Sequence, residues 1–512
     1  MRLLSVWSLA SVLQALPAVS ATPYPFGAAR HDFTNVAIRA ADVVAELGPQ
    51  LSPNASIVTQ DEPEFGDLTA RFSVFRKPTF MAIVNPGVES DVAIIVKYAN
   101  SVNLPFLAVN RGHGMTETQG RLQHGLEINV NTLQGMEIDE EAMTVWLQGG
   151  AWSEGIIWDL WDAGYVTTTG SCGCVGVLGP GLGGGLGRYM GFYGLVLDSF
   201  TEFNMVLADG SEITVTPDIN PDLWWAVRGA GHNFGIVTSF RKEIHAKPND
   251  TWYYITYIFT QDKLEDVVAA SNQMNDLGRQ PREIVSGVFY SWAPEVDSTS
   301  PAVFMTFQYA GVRADAEPFF APFDALEPAS RQDGSAPYPE LFAMTGSGAE
   351  DPLCTVKGQR IVQYPLGLLE YNVTTEREVY EYFRTFTVEN PRYNRSTIVL
   401  ETYSVIGMQA VPEEDSAYAH RADNLLVSTN IQYDDDPALD DDAIDFARQT
   451  RQLWQNGQPG RRETAYVNYA FGDETMEQMY GYEPWRQERL RAAKQKYDPD
   501  NKFSFYNPIT FN

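Results

Sequence analysis

Apolar residues recur along this chain with two different periods, and the change of period divides it. In the first half, short apolar runs alternate with helical stripes. Pro78 to Val84 reads as a strand closed by Asn85-Pro86-Gly87. Glu89 to Ser101 reads as a helix with Val92, Ile95, Val96 and Ala99 on one face, and Pro105 to Val109 as the next strand. This β-α-β unit delivers Asn110-Arg-Gly-His-Gly114 just past the C-terminal end of a strand, where open α/β units bind ligands.

Further along, Gly125 to Val130 and Thr144 to Gln148 predict strands, and Ala151 to Ala163 a helix. Phe203 to Val215 predicts a hairpin around Asp209-Gly210. A helix from Asp222 then runs into a glycine turn ending at Gly235. Upstream, Ala37 to Leu47 reads as a helix in a loop-rich stretch. These elements form one α+β domain over residues 22–246.

From Thr251 the period becomes two. Trp252 to Phe259 and Ala302 to Gln308 alternate as strands of an antiparallel sheet, and Leu264 to Leu277 and Asp441 to Gln455 predict helices covering one face. Residues 247–469 are thus a second domain, suited to binding substrate. The acidic runs at 434–436 and 440–442 read as a solvated loop and a helix N-terminus rather than a metal site.

Composition narrows the class. A net charge of −30 over 512 residues repels nucleic acid and anionic membranes, so neither is expected as a partner. Residues 1–21 carry the marks of a secretory signal peptide: Arg2, an apolar run from Leu3 to Leu16, and small residues at Val19-Ser20-Ala21. The run is too short for a membrane span. Four sequons, at Asn54, Asn249, Asn372 and Asn394, agree with an exported glycoprotein.

The candidate chemistry sits in two glycine frames. One surrounds His113. The other runs from Thr169 through Cys172, Cys174 and Gly179 to Gly187. Glycine lets backbone press against a flat or phosphorylated ligand. Gly179 to Gly184 formally matches GxGxxG, but Gly185, Gly187, Gly191 and Gly194 follow where a dinucleotide fold needs a helix, so a Rossmann site is rejected. The chain has three cysteines: Cys172, Cys174 and Cys354. If Cys172 bonds a cofactor, the other two can pair or stay free; Cys172 and Cys174 are too close in sequence to pair readily with each other. Six histidines and no CxxC speak against zinc.

These residues carry a resemblance to the FAD-linked oxidases of the vanillyl-alcohol oxidase/PCMH superfamily, in the berberine-bridge-enzyme-like branch and its secreted fungal members. Phe75 to Pro86 resembles the opening of the PCMH-type domain, Pro105 to His113 the flavin-linking histidine segment, and Cys172 to Gly187 the cysteinyl loop. Asp222 to Ser239 resembles the segment closing around the adenine and pyrophosphate. Ala465-Tyr-Val-Asn-Tyr469 and Lys496 to Phe503 resemble the return strand and terminal tail, so residues 470–512 are expected to fold back onto the FAD domain.

The resemblance implies FAD held through His113 (to the 8α-methyl) and Cys172 (to C6). It implies contacts from Gly112, Gly114, Val175, Gly179, Gly183, Gly184, Gly185, Asn233, Gly235, Ile236 and Val237. Val175 stands where relatives gate oxygen. Arg111 departs from the family's usual glycine and faces either the flavin or solvent. Tyr469, with Tyr466 as its partner in Tyr-x-Asn-Tyr, is the implied catalytic base. Its pKa of ~10 must then be depressed by a cation or by hydrogen bonds. In a regular strand the two tyrosines point apart.

The implied activity is hydride transfer from a small organic molecule to flavin, with reoxidation by O2 to hydrogen peroxide. The substrate is a secondary-metabolite alcohol or activated C–H. The alternatives are an oligosaccharide oxidase and a non-redox flavin-binding cyclase or inactive homologue; the aromatic run from Tyr253 to Tyr257 suits stacking of sugars or of a polyketide equally well.

Overall fold

The computed structural model describes residues 39–511, so the leader-like 1–21 lies outside the described residues. Among the described residues there are two small sheets, one large one and a two-stranded pair, Tyr165–Val166 with His245–Ala246. The first has four strands in the order Ser56–Thr59, Phe80–Asn85, Gly125–Asn129, Phe106–Val109. Phe80–Asn85 and Phe106–Val109 both run parallel to Gly125–Asn129, which is the expected β-α-β arrangement. The second has five antiparallel strands: Met136–Asp139, Thr144–Gln148, Ile236–Glu243, Phe200–Val206, Glu212–Val215.

The helix Glu89–Ser101 lies between these sheets. Its start is fixed by Asp91, whose carboxylate accepts from the amides of Gly87 (2.8 Å) and Val88 (3.1 Å) and so satisfies donors that a helix start leaves unpaired. Val92, Ile95, Val96 and Ala99, the predicted stripe, are all buried there with Leu126 and Ile128 of one sheet and Val206 and Ile236 of the other.

The third sheet is antiparallel and eight-stranded. Its order is Ser330–Ala336, Trp252–Phe259, Asp297–Tyr309, Ile284–Ala293, Thr397–Tyr403, Leu425–Tyr433, Arg360–Val362, with Pro365–Leu368 also paired to Leu425–Tyr433. The helices Leu264–Asn275, Arg313–Asp324, Val373–Glu389 and Asp440–Asn456 bury their apolar stripes on one face. Tyr253 and Tyr257 are on that face and donate to Asp333 and Asp324. They are therefore not the stacking surface that the alternation allowed. Alternate residues, including Tyr254, Tyr403 and Leu426, face the first half of the chain.

The C-terminal stretch packs back on the N-terminal half. Lys494 donates to the Asn233 carbonyl (2.9 Å), the Ile509 amide to Asn233 Oδ1 (2.8 Å), and the Thr116 hydroxyl to Asn507 Oδ1 (2.7 Å). Buried Lys494 is neutralised by buried Asp498 at 2.6 Å. The segment expected as a return strand is a turn instead: the Tyr469 amide donates to the Tyr466 carbonyl at 2.9 Å.

Candidate functional site

The strand Phe106–Val109 ends at a loop with few backbone hydrogen bonds of its own. Among the described residues, none accepts a hydrogen bond from the amides of Arg111 to Met115. Gly112, at φ +70°, takes within this loop a left-handed conformation that glycine adopts without strain. Asn110 anchors the loop by donating to the Ala151 carbonyl (3.0 Å), which leaves its buried Oδ1 without a partner.

His113 stacks on Phe72 with ring centroids 4.9 Å apart. Burial, with the positive charges of Lys357 and Arg111 adding, pushes its pKa down to about 3, so the imidazole is neutral and nucleophilic. Arg111 lies 4.5 Å over the Trp152 ring and donates to the Cys174 carbonyl (3.2 Å). This takes it out of open solvent and accounts for an arginine where glycine was expected.

The three cysteines converge. Cys174 and Cys354 form a disulfide, and Cys172 is the free thiol. Cys172 Sγ lies 3.6 Å from Cys174 Sγ, which is itself 3.4 Å from His113 Nε2. The two residues expected to hold the cofactor are thus two short steps apart, on the same wall. Burial raises the Cys172 pKa, with Arg188 and Lys357 opposing it. Val175 follows in a half-buried position; its carbonyl accepts from the Ser153 amide (2.9 Å), which fixes the loop.

The glycine loop works differently from the expectation. Gly183, Gly184 and Gly185 press against protein rather than lying open to a ligand. A Cβ at Gly183 would meet Asn468 Oδ1 at 2.2 Å, and one at Gly184 would meet the Tyr418 ring at 2.8 Å. Gly184 and Gly185 also have φ of +131° and +86°. They let the C-terminal turn approach: the Gly185 amide donates to the Tyr466 hydroxyl (3.0 Å). Gly114 likewise admits Gln119, whereas space is open beside Gly170 and Gly179. Leu178–Leu182 forms a single helical turn inside the GxGxxG match rather than after it, in keeping with rejection of a Rossmann site.

Asn233 is saturated by protein: it donates to Tyr480 (3.1 Å), and its Oδ1 and carbonyl accept from Ile509 and Lys494. It thereby holds the tail against the first half of the chain. Gly235 lies against the Val206 carbonyl, and Ile236 and Val237 open a strand paired with Val206 and Met205. These three shape the domain from within the sheet.

Tyr466 and Tyr469 do not point apart. The turn brings their rings into an edge contact with centroids 5.2 Å apart. The Tyr466 hydroxyl also accepts from Asn468 Nδ2 (2.7 Å). The Tyr469 hydroxyl donates to Glu401 Oε1 (3.3 Å) on the strand Thr397–Tyr403. No cation depresses Tyr469: burial and the Glu401 charge raise its pKa well above the ordinary value. The titratable group near neutrality is Glu401, pushed up to about 7 by burial, with Oε2 unpartnered. Glu401 escaped the sequence reading, although a single carboxylate in the run Thr397-Ile-Val-Leu-Glu-Thr-Tyr403 was a readable signal.

The residues fit a flavin dinucleotide. Free loop amides and the orphaned Asn110 Oδ1 supply polar partners, open space adjoins Gly170 and Gly179, and His113 and Cys172 would hold the ring system. The class defined by this fold and site is a flavin-binding oxidoreductase.

Comparison with known proteins agrees. Residues 80–216 match the FAD binding domain model, and 465–510 match the berberine and berberine like model. FAD-linked oxidoreductase anuG of Penicillium roqueforti is 42% identical over 507 residues, spanning 99% of both chains. The chain therefore belongs to the berberine-bridge-enzyme-like FAD-linked oxidoreductases. The fold is shared with Physcomitrella patens BBE-like 1 (TM-score 0.79, 19% identity, 93% of this chain and 100% of that one). It is also shared with glucooligosaccharide oxidase from Acremonium strictum, described with 6-S-cysteinyl, 8α-N1-histidyl FAD (TM-score 0.77, 20% identity, 92% and 99%).

Of the sequons, Asn54 is exposed in a loop. Asn372 caps the helix Val373–Glu389 and also donates to the Gly457 carbonyl. Asn249 and Asn394 are half-buried.

Proposed function

We propose that this chain is a secreted oxidase that carries FAD on both His113 and Cys172, removes two electrons and two protons from a small organic hydroxyl or activated C–H compound, and delivers them to O2 as hydrogen peroxide. The observation carrying this reading is the Tyr469–Glu401 hydrogen bond of 3.3 Å, made by two half-buried titratable groups. FAD, when bound, supplies the two-electron acceptor.

The protein's part is proton transfer and positioning. Tyr469 takes the substrate hydroxyl proton as it passes its own proton to Glu401 Oε1. A phenolate need not form in isolation, so the raised Tyr469 pKa is compatible with this role. Glu401, near 7, accepts the proton at neutral pH. Tyr466 is a positioning residue, tied to Gly185 and Asn468, and holds the turn that presents Tyr469. The leader-like segment and the exposed Asn54 support export.

The test is acid precipitation of purified protein followed by peptide mass analysis, with oxygen uptake and peroxide measured on an alcohol panel. Flavin on both peptides and peroxide in step with oxygen uptake are expected. Protein without flavin after expression under loading conditions, or substrate turnover without oxygen uptake, overturns the reading.

A further inference from the structure

The pocket beside Glu401 has a chemistry that selects among substrates. It opens to solvent, and Glu401, Tyr403 and Tyr466 line it. Its apolar walls come from three parts of the chain: Leu186 and Met190, Val405 and Met408, Leu425 and Leu426.

Most polar groups in its lining are already spent. Tyr403 donates to Ser171 (3.2 Å), and Tyr466 is held by Gly185 and Asn468. Asp423 is paired with Arg461 and accepts from Thr464 (2.9 Å). Asn424 donates to the Leu369 carbonyl (3.1 Å) and accepts from Gln409. His420 contacts the Met479 carbonyl at 2.9 Å and lies against the carbonyl of Ala465. What remains for a ligand is Glu401 Oε2, His420 Nδ1 and the hydroxyl of Tyr418, which has no hydrogen bond among the described residues.

The sheet beneath gives the same answer from a different observation. Residues directly opposite one another share a face. In register with Glu401 are Leu426 and Gly287, and one step along the same face Val399 pairs with Phe289 on one side and Ser428 on the other, whose hydroxyl accepts from Gln363. Glu401 is thus the one carboxylate on a mostly apolar patch of floor.

We infer that the substrate is a compact, predominantly apolar molecule, aromatic or alicyclic, that presents one hydroxyl to the Tyr469–Glu401 pair and carries few further polar groups, placed near Tyr418 and His420. This rests on the oxidoreductase reading of the same site. It excludes an oligosaccharide: a sugar brings a hydroxyl on almost every ring carbon, and each one taken from water without a partner costs free energy.

The test uses the flavin-loaded full-length protein and two probes, 2-naphthalenemethanol and cellobiose. Equilibrium binding is read by calorimetry, and flavin bleaching is read separately without oxygen. The naphthyl alcohol is expected to bind at least about tenfold tighter than cellobiose, and Leu426→Gln to weaken it by about tenfold. Glu401→Gln is expected to keep the binding within about threefold while slowing bleaching.

Equal or tighter binding of cellobiose, or no binding of either probe in the millimolar range, overturns the inference. If the naphthyl alcohol binds as expected but never bleaches the flavin of the parent protein, the substrate class stands and the oxidase reading fails.

Discussion

Tyr469 and Glu401, 68 residues apart in sequence, meet through one hydrogen bond of 3.3 Å, with the phenol donating and the carboxylate accepting. The tyrosine comes from a turn in the C-terminal segment and the glutamate from the middle of the large sheet, so the pair exists only when the two are docked.

If the two act as one relay, their losses do not add. Glu401→Gln and Tyr469→Phe should each slow flavin reduction about a hundred- to ten-thousand-fold, and the double variant little more than the worse single one. Stopped-flow bleaching without oxygen measures this. Additive losses would show that the residues act separately.

The relay also sets a pH dependence. Glu401 accepts a proton only when ionised and is pushed up to about 7, so flavin reduction should rise with pH to a plateau beyond that value. The rising limb should vanish in Glu401→Gln. A profile unchanged by that substitution would assign the titration to another group.

A second buried carboxyl predicts a stability effect away from the site. Glu376 accepts from Trp454 and Tyr290, and burial raises it from 4.5 to about 7. Below pH 4.5 both folded and unfolded chains hold this proton. Between 4.5 and about 7 the unfolded chain releases it while the folded chain keeps it, so this group's stabilisation is lost as pH rises. The buried histidines titrate in the opposite sense over part of this range, so the effect is read as a difference between variant and parent. Relative to the parent, Glu376→Gln should gain up to about 3 kcal/mol as pH is raised across the window, measured by urea denaturation. A constant difference would contradict the raised pKa.

The Cys174–Cys354 bond joins positions 180 residues apart. Cys354→Ser should cost about 2–4 kcal/mol and lower Tm by several degrees. Without reductant, thiol labelling of the unfolded, flavin-free protein should find one free cysteine in the parent, Cys172, and two in the variant. An equal count in both would mean that the bond does not form.

Val175 sits half-buried three residues after Cys172. Val175→Leu should slow oxygen consumption by the reduced protein about tenfold or more while leaving reduction by substrate unchanged. Identical oxygen rates in the two proteins would remove Val175 from any gating role.

Much of the architecture was legible because it obeys local rules. Val92, Ile95, Val96 and Ala99 marked a buried helix face, and the alternation from Trp252 marked a sheet. The motifs around His113 and Cys172 were visible as glycine-framed nucleophiles. What was hidden depends on pairing across long distances. The turn at Tyr466 to Tyr469 looks like a strand until Gly183 to Gly185 let it approach, and the anchoring of the tail by Asn233 has no sign in the sequence. Glu401 lacks a motif of its own and gains meaning only from Tyr469.

The bond between the Thr116 hydroxyl and Asn507, 391 residues on, has a consequence for biosynthesis. The wall carrying His113 emerges from the ribosome early; the wall carrying Tyr466, Tyr469 and Asn507 emerges last. A cofactor gripped between them is enclosed only once the whole chain has been made. Nascent chains would therefore pass through a period with the first wall open, and the supply of FAD at the end of synthesis would govern how much of the protein matures.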